Sequence, residues 1–382
     1  MDFSWSAEQI ALRRAVREFL ASDPAVPASP PEDTWLTGFD REFSRRLGAR
    51  GWIGLTWPAR YGGSERSYFD RLIVTEELLL AGAPVAAHWF GDRQIGPALL
   101  AHGSEDQKRE LLPRIARGEI TFCVGMSEPG AGSDLAALET RAELHGDEIV
   151  IRGQKTWTSF AGSAHYCYLL ARTDPGAPRH QGLSELLVPM DAPGIRVSPI
   201  RDMVGETHFG ELFLDDVRVP ATARIGQLHR GFYQIMGQLD YERGGIERLY
   251  SNAPLWRAAL ALARERELLR DAALRQEIAD VEIERRAGRA LVYRVAALLS
   301  AGKAPSHEAA VAKAFCTELE QRMAKLIARI LGPHAQLLPG DPRAPLAGRA
   351  ARSLLYAPAY TIQGGTSEIL REIIARRGLG LS

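Results

Sequence analysis

The spacing of apolar residues changes character twice along the chain. Over residues 8–20, Ile10, Leu12, Val16, Phe19 and Leu20 form one stripe at helical spacing, which predicts an amphipathic helix. The Pro-rich run at 23–31 predicts a loop, and so does Trp57-Pro58-Ala59-Arg60-Tyr61-Gly62-Gly63. Helical periodicity returns over 40–51, 69–80 and 95–102. Ser104, with Gln107 three residues on, reads as a capping box that opens a further short helix. Near residue 121 strand signals take over, at 122–124, 148–151, 166–171, 185–189 and 211–213, with turns at Gly146-Asp147 and Ala192-Pro193-Gly194. From Gly231 the helical period resumes, predicting mutually packed helices over 232–263, 275–300, 306–331, 343–356 and 367–377. The pattern predicts an α+β chain: a helical domain over 1–120, a β domain over 121–228 and a helical bundle over 229–382.

Composition narrows the picture without naming a chemistry. Forty-seven Lys plus Arg balance 47 Asp plus Glu, so no net field points to nucleic acid or an anionic membrane. No apolar stretch approaches the ~20 residues that span a bilayer. The N-terminus lacks a basic region followed by an apolar run, so a cytoplasmic protein is expected. Cys123, Cys167 and Cys316 fit no metal-ligand spacing and read as small core residues; no metal site is expected.

Three segments carry candidate chemistry. Met126-Ser127-Glu128-Pro129-Gly130-Ala131-Gly132-Ser133-Asp134 is a loop of small and rigid residues that can bring backbone amides and two hydroxyls to a ring or a phosphate. Taken alone, it is more often a tight β connection. Gln154-Lys155-Thr156-Trp157-Thr158-Ser159, expected straight after the 148–151 strand, offers a flat aromatic face and a donor; an isolated Trp is more often a core residue. In Gln363-Gly364-Gly365-Thr366-Ser367-Glu368 the glycines allow close approach, and Thr366 reads as the N-cap of the next helix.

In that order, and with Gly103-Ser104-Glu105-Asp106-Gln107-Lys108 and Phe213-Leu214-Asp215-Asp216-Val217-Arg218-Val219-Pro220, these segments resemble the acyl-CoA dehydrogenases over nearly the whole chain. The resemblance implies an N-terminal helical domain, a middle β-barrel domain and a C-terminal four-helix bundle. It implies FAD held by both the β domain and the bundle, commonly reaching a second subunit. Carried over, Ser127 would bond the flavin ring near N5 and Ser133 would reach the phosphates. Trp157 would stack beside the ring and Ser159 would donate to it, with Val124, Met126, Gly132 and Thr158 also on the cofactor. Thr366 and Glu368 would meet the phosphate or ribose. The hydride chemistry is the cofactor's.

The reaction so implied removes an α proton and a β hydride from an acyl-CoA thioester, with electrons passing to an electron-transfer flavoprotein. Most members resembling this chain place the carboxylate base just before the Gly-Thr of the C-terminal loop, where this chain has Gly364. Leu239-Asp240-Tyr241-Glu242-Arg243 resembles the isovaleryl- and long-chain-type branch, whose base stands on a bundle helix. Local physics points the same way. Glu242 shares a helical face with Phe232, Ile235, Met236, Leu239, Ile246 and Leu249, and its neighbours at three and four positions carry no positive charge. Desolvation there would raise its pKa toward neutrality, as suits a base. The competing reading is a structural ion pair with an arginine of another helix. Arg243 would orient the base or the loop, and Ser133, Asp240, Arg243 and Gly365 are the candidate substrate contacts. On the adenine side the family's Arg has no clear counterpart in 264–270, and its Gln-containing Gly-Gly motif is replaced by Ala328-Arg329-Ile330-Leu331-Gly332-Pro333, leaving Arg329 for a phosphate.

His88-Trp89-Phe90-Gly91 and Ile95 fall near the expected base of the acyl pocket; helix packing is the reading favoured for them. The expected assembly is a homodimer or homotetramer, with a hetero-oligomer as the alternative. Two rival functions stay open: a subunit of a heteromeric dehydrogenase for bulky or sterol side-chain substrates, and an oxidase or monooxygenase on the same scaffold.

Overall fold

The computed structural model describes residues 4–381, and for residues 239–242 the backbone alone. In chain order, α1 (Ala7–Ser22), α2 (Thr34–Thr37), α3 (Arg41–Ala49), α4 (Tyr68–Leu80), α5 (Ala86–Phe90), α6 (Gly96–His102) and α7 (Glu105–Ala116) precede the strands. The strands are β1 (Phe122–Gly125), β2 (Arg141–His145), β3 (Glu148–Ser159), β4 (Tyr166–Arg172), β5 (Leu183–Pro189), β6 (Ile195–Ile200), β7 (Phe209–Pro220) and β8 (Arg224–Ile225). Then come α8 (Gly231–Arg243), α9 (Glu247–Tyr250), α10 (Ala253–Glu265), α11 (Ala272–Ser300), α12 (His307–Leu331), α13 (Arg349–Tyr360) and α14 (Ser367–Ile373). Helices, a sheet and helices again is the expected α+β order. Among the described residues no helix is long and apolar enough to cross a membrane.

The elements gather into two compact units. One comprises Met1–Trp35, Ser67–Pro84 and Asp240–Ser382; the other comprises Leu36–Arg66 and Val85–Leu239. In the first, α12 packs against α11, α13 and α14, and α4 against α1 and α11. Its core also holds a polar cluster. Tyr360 donates to Asp33, Asn252 Nδ2 donates to Glu320 Oε2 at 2.8 Å, and Ser353 donates to Asn252 Oδ1 at 2.7 Å. Burial pushes Asp33 up to about 7 and Glu320 well above the carboxylate range, so hydroxyl and amide partners suit them. In the second unit the strands form one sheet in the order β6-β7-β3-β2-β4-β5-β8, with β1 parallel to β4. Its interior is filled by Cys123, Ile149, Ile151, Cys167, Leu169, Leu186, Val188, Leu212, Leu214 and Val217. All three cysteines are buried and free, as expected.

Several expected elements change. β3 does not stop at Ile151 but runs to Ser159 along the whole of β7, through register shifts at Ile151/Gly153 and Lys155/Thr158. The bulges hide its period-two signal, and the expected 211–213 strand grows to Phe209–Pro220 for the same reason. The helix expected over 232–263 is three helices. A Cβ on Gly244 would lie 2.4 Å from Val295 Cγ1, so close packing holds glycine there, whereas one on Gly245 would meet only the movable carboxylate of Glu247. Two glycines cost about 1 kcal/mol each in a helix, and α8 ends at Arg243. Ile246 and Leu249 therefore do not continue the apolar face on which Glu242 was placed. The expected 95–102 helix begins with a π turn, Gly91–Ile95, and the expected 343–356 helix starts only at Arg349.

Candidate active site

β1 delivers the chain into the 126–134 loop. Gly125 ends the strand where a Cβ would lie 2.9 Å from Cys167 Sγ, so glycine alone fits. Glu128 and Ala131 exchange backbone hydrogen bonds of 2.9 and 3.1 Å, folding Pro129-Gly130 into a tight turn. Three bonds from β3 then fix the loop around Ser127. Thr156 N–H donates to Ser127 O at 2.9 Å, and Lys155 Nζ donates to Met126 O at 3.1 Å and to Glu128 Oε1 at 2.8 Å. Glu128 also accepts from the N–H groups of Glu139 and Thr140 at 2.6 and 2.9 Å. Burial pulls Lys155 down to about 8 against the pull of Glu128. Burial pushes Glu128 up, but Lys155 and the backbone donors prevail and hold it below its usual range. The pair thus stays ionised at neutral pH.

The bulge that follows turns Trp157 outward. Its φ of 57° lies in the left-handed region, which L residues seldom adopt, and the indole is 57% exposed. Phe209 meets it edge-on, with ring centroids 5.7 Å apart. The indole is therefore not a core residue. Thr158 is fully buried, yet its Oγ1 has no hydrogen-bond partner among the described residues. Val124 is half-buried on β1, Met126, Ser127 and Ser159 are half-buried, and Gly132 and Ser133 are exposed. A Cβ on Gly130 or Gly132 would meet nothing within 4 Å. Packing within the chain therefore does not demand glycine there, whereas a ligand lying on the loop would. Gly132→Val is expected to leave the unfolding free energy within ~0.5 kcal/mol of the parent while flavin affinity falls about tenfold or more. Thermal melts of the apoprotein and flavin fluorescence titration check this; unchanged flavin affinity would refute it.

The first unit holds the 363–368 segment and the other predicted residues of the C-terminal helices. Gly364 and Gly365 have φ of 66° and 100°. Arg243 is buried and its Nε donates to Gly364 O at 3.2 Å; Lys313 Nζ donates to Gly365 O at 2.7 Å. Thr366 caps α14, accepting from Ile369 N–H at 3.3 Å. Gln363 Nε2 and Ser367 Oγ are buried with no hydrogen-bond partner among the described residues. Glu368 is exposed, its carboxylate held below its usual range by its own backbone N–H and by the Thr366 hydroxyl. Arg329 is half-exposed and paired with Glu277 of α11. The side chains of Asp240 and Glu242 lie outside the described residues. His88 and Trp89 are buried; His88 Nδ1 lies 2.9 Å from Ser44 Oγ, and burial lowers its pKa to about 4.

Two tethers escaped the sequence reading. Lys155 was read only as part of a motif, and Lys313 was not singled out. The signal for Lys313 was present: a lysine among Ala309, Ala310, Ala312 and Ala314, all buried on α12. A cation in an apolar stripe needs fixed acceptors, here two carbonyls.

Three family models cover the chain almost end to end: the acyl-CoA dehydrogenase N-terminal domain matches residues 6–119, the middle domain 123–217 and the C-terminal domain 229–379. The chain belongs to the acyl-CoA dehydrogenase family. It is similar to the acyl-CoA dehydrogenase FadE26 of Mycobacterium tuberculosis, 35% identical over 402 residues covering 100% of this chain and 99% of that one. Among solved structures it is similar to the Tcur3481-Tcur3483 steroid ACAD, with TM-score 0.91 and 34% identity, covering 100% of both chains. The ChsE4-ChsE5 complex from Mycobacterium tuberculosis is also similar, with TM-score 0.87 and 35% identity, again covering 100% of both chains. Acyl-CoA dehydrogenases are flavoprotein oxidoreductases. Taken unit by unit, the residues present fit contacts with a flavin: in the second, an open glycine loop, an outward indole and the partnerless Thr158 Oγ1; in the first, Gln363 Nε2 and Ser367 Oγ, buried without partners among the described residues.

Proposed function

We propose that this acyl-CoA dehydrogenase binds FAD and converts an acyl-CoA thioester to the 2-enoyl-CoA, passing electrons to an electron-transfer flavoprotein in the cytoplasm. One observation carries the reading. The 126–134 loop and the Trp157 bulge are a single hydrogen-bonded unit, joined through Thr156 and Lys155. FAD, when bound, supplies the acceptor for the β hydride. Ser127, Thr158 and Ser159 supply donors to the ring, Trp157 covers its edge, and Val124, Met126 and Gly132 lie along it. Ser133, Thr366, Glu368 and Arg329 take the phosphates and ribose.

Glu242 takes the α proton, and Arg243 holds the 364–365 backbone that borders the thioester, with Asp240, Ser133 and Gly365 as further substrate contacts. Gly364 lacks a carboxylate, and its φ of 66° would strain any other residue. This loop conformation therefore argues against the commoner position of the base. Similarity to a protein named a steroid ACAD, and to one solved as a complex of two named chains, supports a bulky, ring-bearing acyl group and a non-identical second subunit. Assembly as a homodimer or homotetramer is the alternative.

The test is anaerobic titration of the flavoprotein with a panel of acyl-CoAs, followed by flavin absorbance. Bleaching is expected with thioesters bearing bulky rings and much less with short straight chains. No bleaching with any thioester would overturn the reading. Fast reoxidation of the bleached enzyme by oxygen would redirect it to an oxidase.

A further inference from the structure

The loop that leads into α14 contains two adjacent glycines, Gly364 and Gly365, with φ of 66° and 100°. Glycine accepts either orientation of a peptide unit at little cost, so this stretch of backbone does not itself decide which way its N–H groups face. Two buried cations decide it. Lys313 of α12 has no exposed surface, and its Nζ donates to Gly365 O at 2.7 Å and to Tyr360 O at 3.4 Å. Arg243 Nε donates to Gly364 O at 3.2 Å. The peptides here are trans, and in a trans peptide the N–H points away from the C=O. With O365 drawn to Lys313, the N–H of Thr366 faces away from the ammonium. With O364 drawn to Arg243, the N–H of Gly365 faces away from the guanidinium. Neither group, nor the N–H of Gly364, donates to a backbone carbonyl among the described residues. Beside them in the chain, Gln363 Nε2 and Ser367 Oγ are buried with no hydrogen-bond partner among the described residues. The rest of the loop is tied. Ser367 N–H donates to Thr361 O at 2.9 Å, and Gln321 Nε2 of α12 donates to Thr361 Oγ1 at 2.8 Å. Tyr360, whose carbonyl is the second acceptor for Lys313, is itself fixed by its hydroxyl, which donates to Asp33 at 2.7 Å.

We propose that Lys313 is a positioning residue for the cofactor: its hold on Gly365 O turns the N–H of Thr366 outward, as a donor to the phosphate oxygens of FAD. The inference rests on the reading that this chain binds FAD. A phosphate oxygen only accepts, so it suits a loop that presents N–H groups and keeps its carbonyls turned inward. The exposed carboxylate of Glu368 suits a ribose hydroxyl instead. The ammonium also acts through the peptide. A cation on the C=O polarises the unit and makes its N–H a stronger donor. Removing Lys313 takes away both effects. The Gly365–Thr366 peptide is then free to turn its oxygen outward, where it would repel a phosphate.

The experiment is FAD titration of the apoprotein by flavin fluorescence, with phosphorus NMR of the saturated complex, for the wild type and Lys313→Met. Methionine keeps most of the length and bulk of lysine and removes the ammonium. FAD affinity is expected to fall about tenfold or more. In the saturated variant the phosphate resonances should return at least roughly halfway toward those of free FAD. The flavin absorbance spectrum, which reports the ring, should stay as in the wild type. Affinity within about twofold of wild type, or phosphate resonances that stay at their wild-type positions, overturns the inference alone. So does a ring spectrum that moves together with the phosphate signals, because a merely structural loss disturbs both. Should Lys313→Met not fold or not saturate, the wild type decides. Hydrogen exchange of the Gly365 and Thr366 amides should slow about tenfold or more when FAD binds. Unchanged exchange at both overturns the inference. Absence of FAD binding by the wild type overturns the flavoprotein reading, and this one with it.

Discussion

Glu242→Gln is expected to slow flavin reduction by acyl-CoA at least ~10³-fold while FAD content stays at the wild-type level. Glutamine keeps the size and hydrogen-bonding reach of the side chain but cannot accept the α proton. The loss should therefore fall on the reduction step rather than on binding of the thioester. Stopped-flow reduction with a bleaching acyl-CoA, alongside the flavin-to-protein ratio, separates the two. A reduction rate within tenfold of wild type would show that another carboxylate serves. The last turn of α8 suits a base, because Arg243, the next residue, points its guanidinium at Gly364 O and is committed to the loop. Gly364 itself is left-handed, and a Cβ on Gly365 would lie 3.4 Å from Arg243 Nη2, so the loop is shaped around that arginine.

Lys155→Met should destabilise the β-sheet unit by roughly 3–5 kcal/mol and release the flavin, although Lys155 is not expected to touch it. The lysine is wholly buried and satisfies Met126 O and Glu128 Oε1 together. Its removal leaves a carboxylate buried against two backbone N–H groups with no counter-charge, and it frees the residues on both sides of Ser127. A second change, Glu128→Gln, removes the stranded charge, so the double variant should recover much of the stability. It should recover less of the flavin affinity, because the Met126 tether is still missing. Denaturant unfolding and FAD titration of the single and double variants would measure this. A single variant as stable as wild type would mean that the loop is held by its backbone bonds alone.

Much of the candidate site could be proposed from the sequence because its residues lie in contiguous stretches. The 126–134 loop, the 154–159 segment and the 363–368 segment each carry glycine, hydroxyl or aromatic residues at fixed spacing, and short-range chemistry is what a linear reading sees. The cap at Ser104 and the cap at Thr366 were readable for the same reason: a hydroxyl three residues before its N–H donor is a local event. The strand that bears Trp157 was misread as ending at Ile151 because Arg152, Gly153 and the bulges interrupt its alternation. Its continuation depends on β7, which lies far later in the chain.

By itself the sequence determined the α+β order, the family, the loops that a flavin would need and the absence of a carboxylate at position 364. Tertiary structure decided what holds those parts in place. No local pattern shows that the fold brings carbonyl oxygens 126 and 365 to Lys155 and Lys313, or that α8 lays Gln234 beside Glu185. The end of α8 was decided the same way, by Val295 closing on Gly244. Each of these is a contact between residues distant in sequence. Burial without water forces such groups to find each other, and no local spacing records which partner they will find.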